Sequence, residues 1–151
     1  MSEHQYWLGF NLVQHIGAVR IQELLAYFGS LEKAWNASES QLRTTGLPGV
    51  AIKNVLKKRM ELDLKREMQK VYDAGITIVT LLDDDYPAIL KTIDDPPALL
   101  YIRGQLSPQD NLALAIVGTR KATRYGYDAT FMLAKHCAEQ GVTIVSGLAQ
   151  G

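Results

Sequence analysis

AIVGTRKATRYGYDATFMLAKHCAEQGVTIVSGLAQG, residues 115–151, decides the fold class. An apolar run ends at Gly118, and a second one, Val142 to Val145, ends at Ser146-Gly147. Between them, Arg124 to Gln140 has helical spacing, with Tyr127, Phe131, Ala134 and Ala138 on one face. Thr123 is a suitable N-cap and Gly141 a suitable C-cap. Strand, helix and strand make a βαβ unit. Its crossover is expected to be right-handed, and its strands parallel and buried on both faces.

Working outward, Ile76 to Gly104 changes from helical to strand character. ITIVTLL and ALLYIRG read as strands, separated by an acidic turn, a short helix and a proline stop in DDDYPAILKTIDDPP. LALAIVG is the strand that enters the βαβ unit. Everything before this is helical. VRIQELLAYFGS places Val19, Ile21, Leu24, Leu25 and Phe28 at mostly helical spacing and closes at Gly29. Ser30 caps SLEKAW, and Ser38 or Ser40 caps ESQLRTT. One long helix is expected from about Val50 to Tyr72, ended by Gly75. The predicted fold is α/β: a small all-α domain over residues 1–72, then the first part of a Rossmann-like, doubly wound parallel sheet over residues 73–151.

The chain has 151 residues, enough for one ordinary domain or two small ones, and its apolar fraction of 47% is that of a globular protein. No apolar run is long enough for a membrane span, and MSEHQYWLGF lacks the character of a secretory signal. A single cysteine, Cys137, cannot form an internal disulfide, which suits a reducing cytoplasm; it falls in a helical stripe and reads as packing. Sixteen basic residues balance sixteen acidic ones, so no global charge points to nucleic acid. The basic cluster from Lys53 to Lys70 reads as a solvated helix face, and Arg120, Lys121 and Arg124 form a tighter group.

Ligands of open α/β sheets bind beyond the carboxyl ends of the strands, where both GTRKAT and SGLAQG emerge. The helix starting near Arg124 aims unpaired N–H groups at that crevice, which favours an anion. Gly118 and Gly147 allow close backbone approach; Thr119, Thr123 and Ser146 bring hydroxyls. Arg120 brings a planar cation suited to phosphate. The competing reading is that both glycines only turn tight corners while Arg120 pairs with an aspartate. Neither GxGxxG nor GxxxxGK[ST] occurs, which removes the main support for a dinucleotide oxidoreductase or a P-loop NTPase. Asp83, Asp84 and Asp85 read as a solvated turn rather than a magnesium site, and the three histidines lack zinc-ligand spacing. Ser146 has no identifiable base, so no catalytic residue, metal or cofactor is expected.

These motifs, in this order, resemble the amino-terminal part of DNA-processing protein A, the DprA/Smf family. AIVGTRKATRYG and TIVSGLAQG carry most of the likeness. TLLDDDYPAILKTIDDPPALLYIRG is similar to the family's Asp-x-x-Tyr-Pro, Pro-Pro and Leu-Tyr-x-x-Gly pattern, and WLGFNLVQHIGAVRIQELLAYFGSLEKAW to its helical SAM-like, helix–hairpin–helix-like domain. The resemblance implies a non-enzymatic cytoplasmic protein that binds single-stranded DNA, protects incoming strands in natural transformation and helps load the recombinase RecA. It also implies a homodimer at full length. Arg120 falls on a family DNA contact. Read from the residues themselves, Gly118, Thr119, Lys121, Thr123, Tyr125, Ser146 and Gly147 complete the candidate phosphate and strand site, with Tyr125 either stacking on a base or packing on the sheet.

Two departures qualify the likeness. The front domain reads His15-Ile16-Gly17 where the family usually has Gly-Ile-Gly, so a structural or protein-contact role is expected there rather than DNA binding. The family also continues past the position of Gly151 with further βα units. The chain is therefore expected to be incomplete, and to bind DNA poorly or hold its carboxyl half weakly when alone. A second functional reading stays open: a nucleotide-binding enzyme like the phosphoribohydrolases, whose Pro-Gly-Gly-x-Gly-Thr-x-x-Glu signature is not in these residues.

Overall fold

Local capping explains most of the amino-terminal helices. The structure, a computed structural model, describes residues 3–149. The helices are α1 (His4–Asn11), α2 (Ala18–Phe28), α3 (Leu31–Asn36) and α4 (Glu39–Arg43), followed by α5 (Gly49–Glu61) and α6 (Leu64–Asp73). Gly29 ends α2 in the left-handed region at φ 76°, where a Cβ is penalised. Ser30 caps α3 by accepting from Lys33 N, and Ser38 forms a reciprocal capping box with Gln41 on α4. His15, rather than a glycine, also sits at positive φ, 65°, in the turn before α2, and its carbonyl accepts from the Arg20 guanidinium.

The single helix expected from Val50 to Tyr72 is in fact two. Leu62 adopts extended backbone, and Asp63 caps α6 by accepting from Lys65 N and Arg66 N. An aspartate that satisfies two otherwise orphaned amides makes a new helix start without glycine or proline.

The core is built on α1 and its neighbours. Trp7, Phe10, Leu24, Leu31, Trp35, Leu42, Ile52 and Val55 are buried there, with the Phe10 and Trp35 rings edge to face at 5.0 Å between centroids. Gly9 lets α1 approach closely: a Cβ there would lie 2.8 Å from Leu64 Cδ2 and 3.0 Å from the Trp35 ring. The basic cluster is only partly a solvated face. Lys57 and Lys58 pair with Glu61, and Lys70 with Glu67, whereas Arg59 lies half-buried over Trp35 and donates to Ala34 O and Ala37 O.

Two short sheets follow. β1 (Thr77–Thr80) and β2 (Leu99–Ile102) pair antiparallel, Thr77 opposite Ile102. Their inner residues Ile78 and Leu99 join the helical core, so this hairpin belongs to a first compact unit that ends at Gly104. A second unit begins at Gln105 and holds β3 (Ala113–Ala115), α7 (Arg124–Glu139) and β4 (Thr143–Val145). β3 and β4 are parallel neighbours in the register Ala113↔Thr143 to Ala115↔Val145, as the βαβ reading expects. The chain is thus mixed α/β, with an all-helical front followed by small antiparallel and parallel sheets, consistent with part of a Rossmann-like domain. Among the described residues, no helix is long and apolar enough to cross a membrane.

The second unit differs from the expectation in its burial. β3 is exposed along its length rather than covered on both faces. The α7 stripe expected to pack, Tyr127, Phe131, Ala134 and Ala138, is mostly turned out: Phe131 is 70% and Tyr127 66% exposed. The half-buried residues are Gly126, Ala129, Ala134 and Cys137, about a third of the way round the helix. Two apolar stripes share this helix, and the one with small residues packs on the sheet.

Candidate functional site

The parallel register places the exits of β3 and β4 side by side. Ile116 N donates to Val145 O at 2.9 Å, carrying the ladder one residue past β3. Beyond that point Gly118, Thr119 and Arg120 leave one strand, and Ser146 and Gly147 leave its neighbour, all exposed. The opposite end of the strand pair is pinned by Asp110. Its carboxylate accepts from Ser107 N at 2.7 Å and from the Thr143 hydroxyl at 2.9 Å, and these bonds hold its pKa below the usual carboxylate range.

Thr123 spends its hydroxyl oxygen on the helix, accepting from Gly126 N at 3.1 Å, while Tyr127 N closes on Thr123 O at 3.0 Å. The N–H groups of Arg124 and Tyr125 are then left without an acceptor among the described residues, at the positive end of a sixteen-residue helix. Thr119 is occupied locally too, its Oγ1 accepting from Lys121 N at 3.3 Å. Arg120 and Lys121 are exposed and form no ion pair among the described residues; Arg124 lies 3.7 Å from Asp128, with both side chains in solvent. Tyr125 is 81% exposed and does not pack on the sheet.

The glycines are informative for what does not constrain them. Neither Gly118 nor Gly147 has positive φ, and among the described residues a Cβ at either would meet nothing within 4 Å. Among the described residues there is room for a side chain at both positions. Leu148, next to Gly147, adopts φ 51° and is 97% exposed. A Ser-Gly-Leu sequence carries no signal for that conformation, and sequence reasoning did not single the residue out.

The other candidates have structural partners. Asp83 binds Thr80 N and His4, and among the described residues no group of three or more His, Cys, Asp or Glu is placed to hold a metal. Tyr86, of the Asp-x-x-Tyr-Pro motif, is buried, and its hydroxyl donates to Pro97 O at 2.8 Å, closing the loop between β1 and β2.

Comparison with known proteins bears on the family of the chain. Residues 77–151 match the family model of DNA recombination-mediator protein A. Protein Smf of Synechocystis is 32% identical over 155 residues, a match that takes in 99% of this chain and 39% of that protein. The chain belongs to the DprA/Smf family. Another relative, DNA processing protein DprA of Bacillus subtilis, is 32% identical over 144 residues, covering 87% of this chain and 47% of that one. DNA processing protein DprA of Streptococcus pneumoniae is 35% identical over 88 residues, 58% of this chain and 29% of that one. The chain spans less than half the length of these DprA/Smf relatives. The family match takes in the Asp-x-x-Tyr-Pro loop, both strand exits and α7.

Proposed function

We propose that the chain is part of a DNA-processing protein of recombination and transformation, and that it binds single-stranded DNA at the exits of β3 and β4. The observation that carries this reading is an exposed Arg120 beside two glycines; among the described residues Arg120 has no carboxylate partner, and neither backbone conformation nor crowding requires the glycines. Bare backbone with open space around it suits the close approach of a phosphodiester chain. Arg120 and Lys121 would contact phosphates, with the amides of Gly118, Arg124, Tyr125 and Gly147. Thr119, Thr123 and Ser146 would add hydroxyls, and the exposed Tyr125 ring would stack on a base.

The rest of the reading comes from family membership. It includes a non-enzymatic action in the cytoplasm, help in loading RecA, and a homodimeric full-length protein. A titration of labelled oligo-dT, set against a duplex of equal length and against ATP, tests the proposal. Preference for the single strand, weakening steeply with salt, is expected. Saturable binding of ATP with no binding of oligo-dT would favour the nucleotide-enzyme reading instead.

A further inference from the structure

We propose that Leu148, together with Val117, forms an apolar lip that lies against unpaired bases, so that the edge at the exits of β3 and β4 distinguishes a single strand from other phosphate chains. The inference rests on the single-strand reading above and adds the residues that face the bases. Leu148 is 97% exposed and adopts φ 51°. A left-handed backbone is costly for a residue with a Cβ, and the glycine that would take it freely stands one place earlier, at Gly147, where φ is not positive. His15, also at positive φ, has a structural tie, since its carbonyl accepts from the Arg20 guanidinium. The Leu148 side chain meets almost nothing in the fold, so packing does not account for it. Non-glycine residues in this region of backbone space cluster at ligand clamps and active sites.

The strand register sets where this side chain stands. Ala115 lies opposite Val145, so the chain leaves β3 through Val117 and Gly118 and leaves β4 through Ser146 and Gly147 at the same edge, with Leu148 next. Val117 is 88% exposed, and Tyr125, in the first turn of α7, 81%. These apolar surfaces share one loop cluster with Arg120 and Lys121, which are exposed and form no ion pair among the described residues. Apolar residues scattered singly on a surface are ordinary, but several beside free cations make a patch of mixed character. That mixture selects its ligand. Inorganic phosphate and polyphosphate bring charge and nothing apolar. A duplex stacks its bases on one another and offers only phosphates and groove edges. An unpaired strand brings phosphates at regular spacing and bare base faces, which aliphatic side chains cover without reading sequence, because they carry no hydrogen-bonding group.

The experiment titrates labelled oligo-dT, and an abasic deoxyribose-phosphate strand of the same length, with the native chain and with Leu148→Gly over a series of salt concentrations. Glycine accepts φ 51° and removes only the side chain. The variant should bind oligo-dT about fivefold to tenfold more weakly with an unchanged salt slope, and should bind the abasic strand as the native chain does. Leu148→Met keeps an apolar side chain and should match the native chain on both strands. Unchanged binding of oligo-dT by Leu148→Gly overturns the lip and leaves the phosphate contacts standing. An equal loss on both strands also overturns it, since a loosened backbone would then be the cause. A native chain that binds neither strand at the lowest salt overturns the single-strand reading and the lip with it.

Discussion

Substituting Arg59 by alanine removes a side chain that closes the carboxyl end of α3. Its Nη1 donates to Ala37 O at 2.6 Å and its Nη2 to Ala34 O at 2.7 Å, with the guanidinium carbon 5.8 Å from the Trp35 ring centroid. A hydrogen bond from a charged donor contributes about 1.5–3 kcal/mol, and a partly exposed cation–π contact about 0.5–1 kcal/mol. Against this, burial disfavours the charge and lowers the Arg59 pKa, and Nε is buried without a partner among the described residues. Water would also reach the freed carbonyls in part. The net loss expected for Arg59→Ala is about 2–3 kcal/mol. The two tryptophans, Trp7 and Trp35, both lie in the helical core, so fluorescence during urea unfolding reports on that unit. With a slope of roughly 2 kcal/mol per molar, the midpoint should fall by about 1–1.5 M. Arg59→Met keeps most of the apolar stem and loses both donors, so it should fall nearly as far. A methionine variant as stable as the native chain would refute this account, because the charge would then cost as much as its bonds contribute.

Three further outcomes are expected. His15→Gly relieves a non-glycine residue at φ 65° and should raise the melting midpoint of the helical unit, by an amount equivalent to at most about 1 kcal/mol after the added chain entropy of glycine. Gly9→Ala drives a Cβ to 2.8 Å from Leu64 Cδ2 and should cost about 1–3 kcal/mol, read by the same fluorescence melt. Asp83 gives an acid limb: burial opposes its charge, but the Thr80 amide and His4 outweigh burial and hold its carboxyl below the usual range. A carboxylate depressed in the folded state contributes stability that is fully present above the unfolded value, about 3.9, and is lost as pH falls through the lower folded value. Asp83→Asn should accordingly be less stable than the native chain at pH 6 and converge with it near pH 3 in urea titrations.

Features written into a few neighbouring residues were legible in the sequence. Thr123, Ser30, Ser38 and Gly29 cap their helices because a hydroxyl or a missing Cβ acts within one turn. The parallel pairing of β3 and β4 followed from the strand–helix–strand order. The break at Leu62-Asp63 is hidden because apolar spacing continues through it; the aspartate cap is the available signal. Apart from Cys137, which reads as packing, the packing face of α7 is not legible, because Tyr127 and Phe131 lie on one stripe, and Ala129 and Cys137 on another. Hydrophobicity favoured the larger residues, whereas close approach to a sheet favours the smaller. For the site, the residue types and their common strand edge could be read in advance. Among the described residues, the freedom of Arg120 from a carboxylate and the absence of crowding at Gly118 and Gly147 depend on folded surroundings that spacing does not encode.

The most direct measurement is the affinity of the native chain and of Arg120→Ala for labelled oligo-dT over a series of salt concentrations. The variant should bind more weakly at every concentration, with the slope of log affinity against log salt reduced by about 0.7, the value of one single-strand phosphate contact. Identical affinity and slope in the two proteins would contradict a phosphate-binding edge at the exits of β3 and β4.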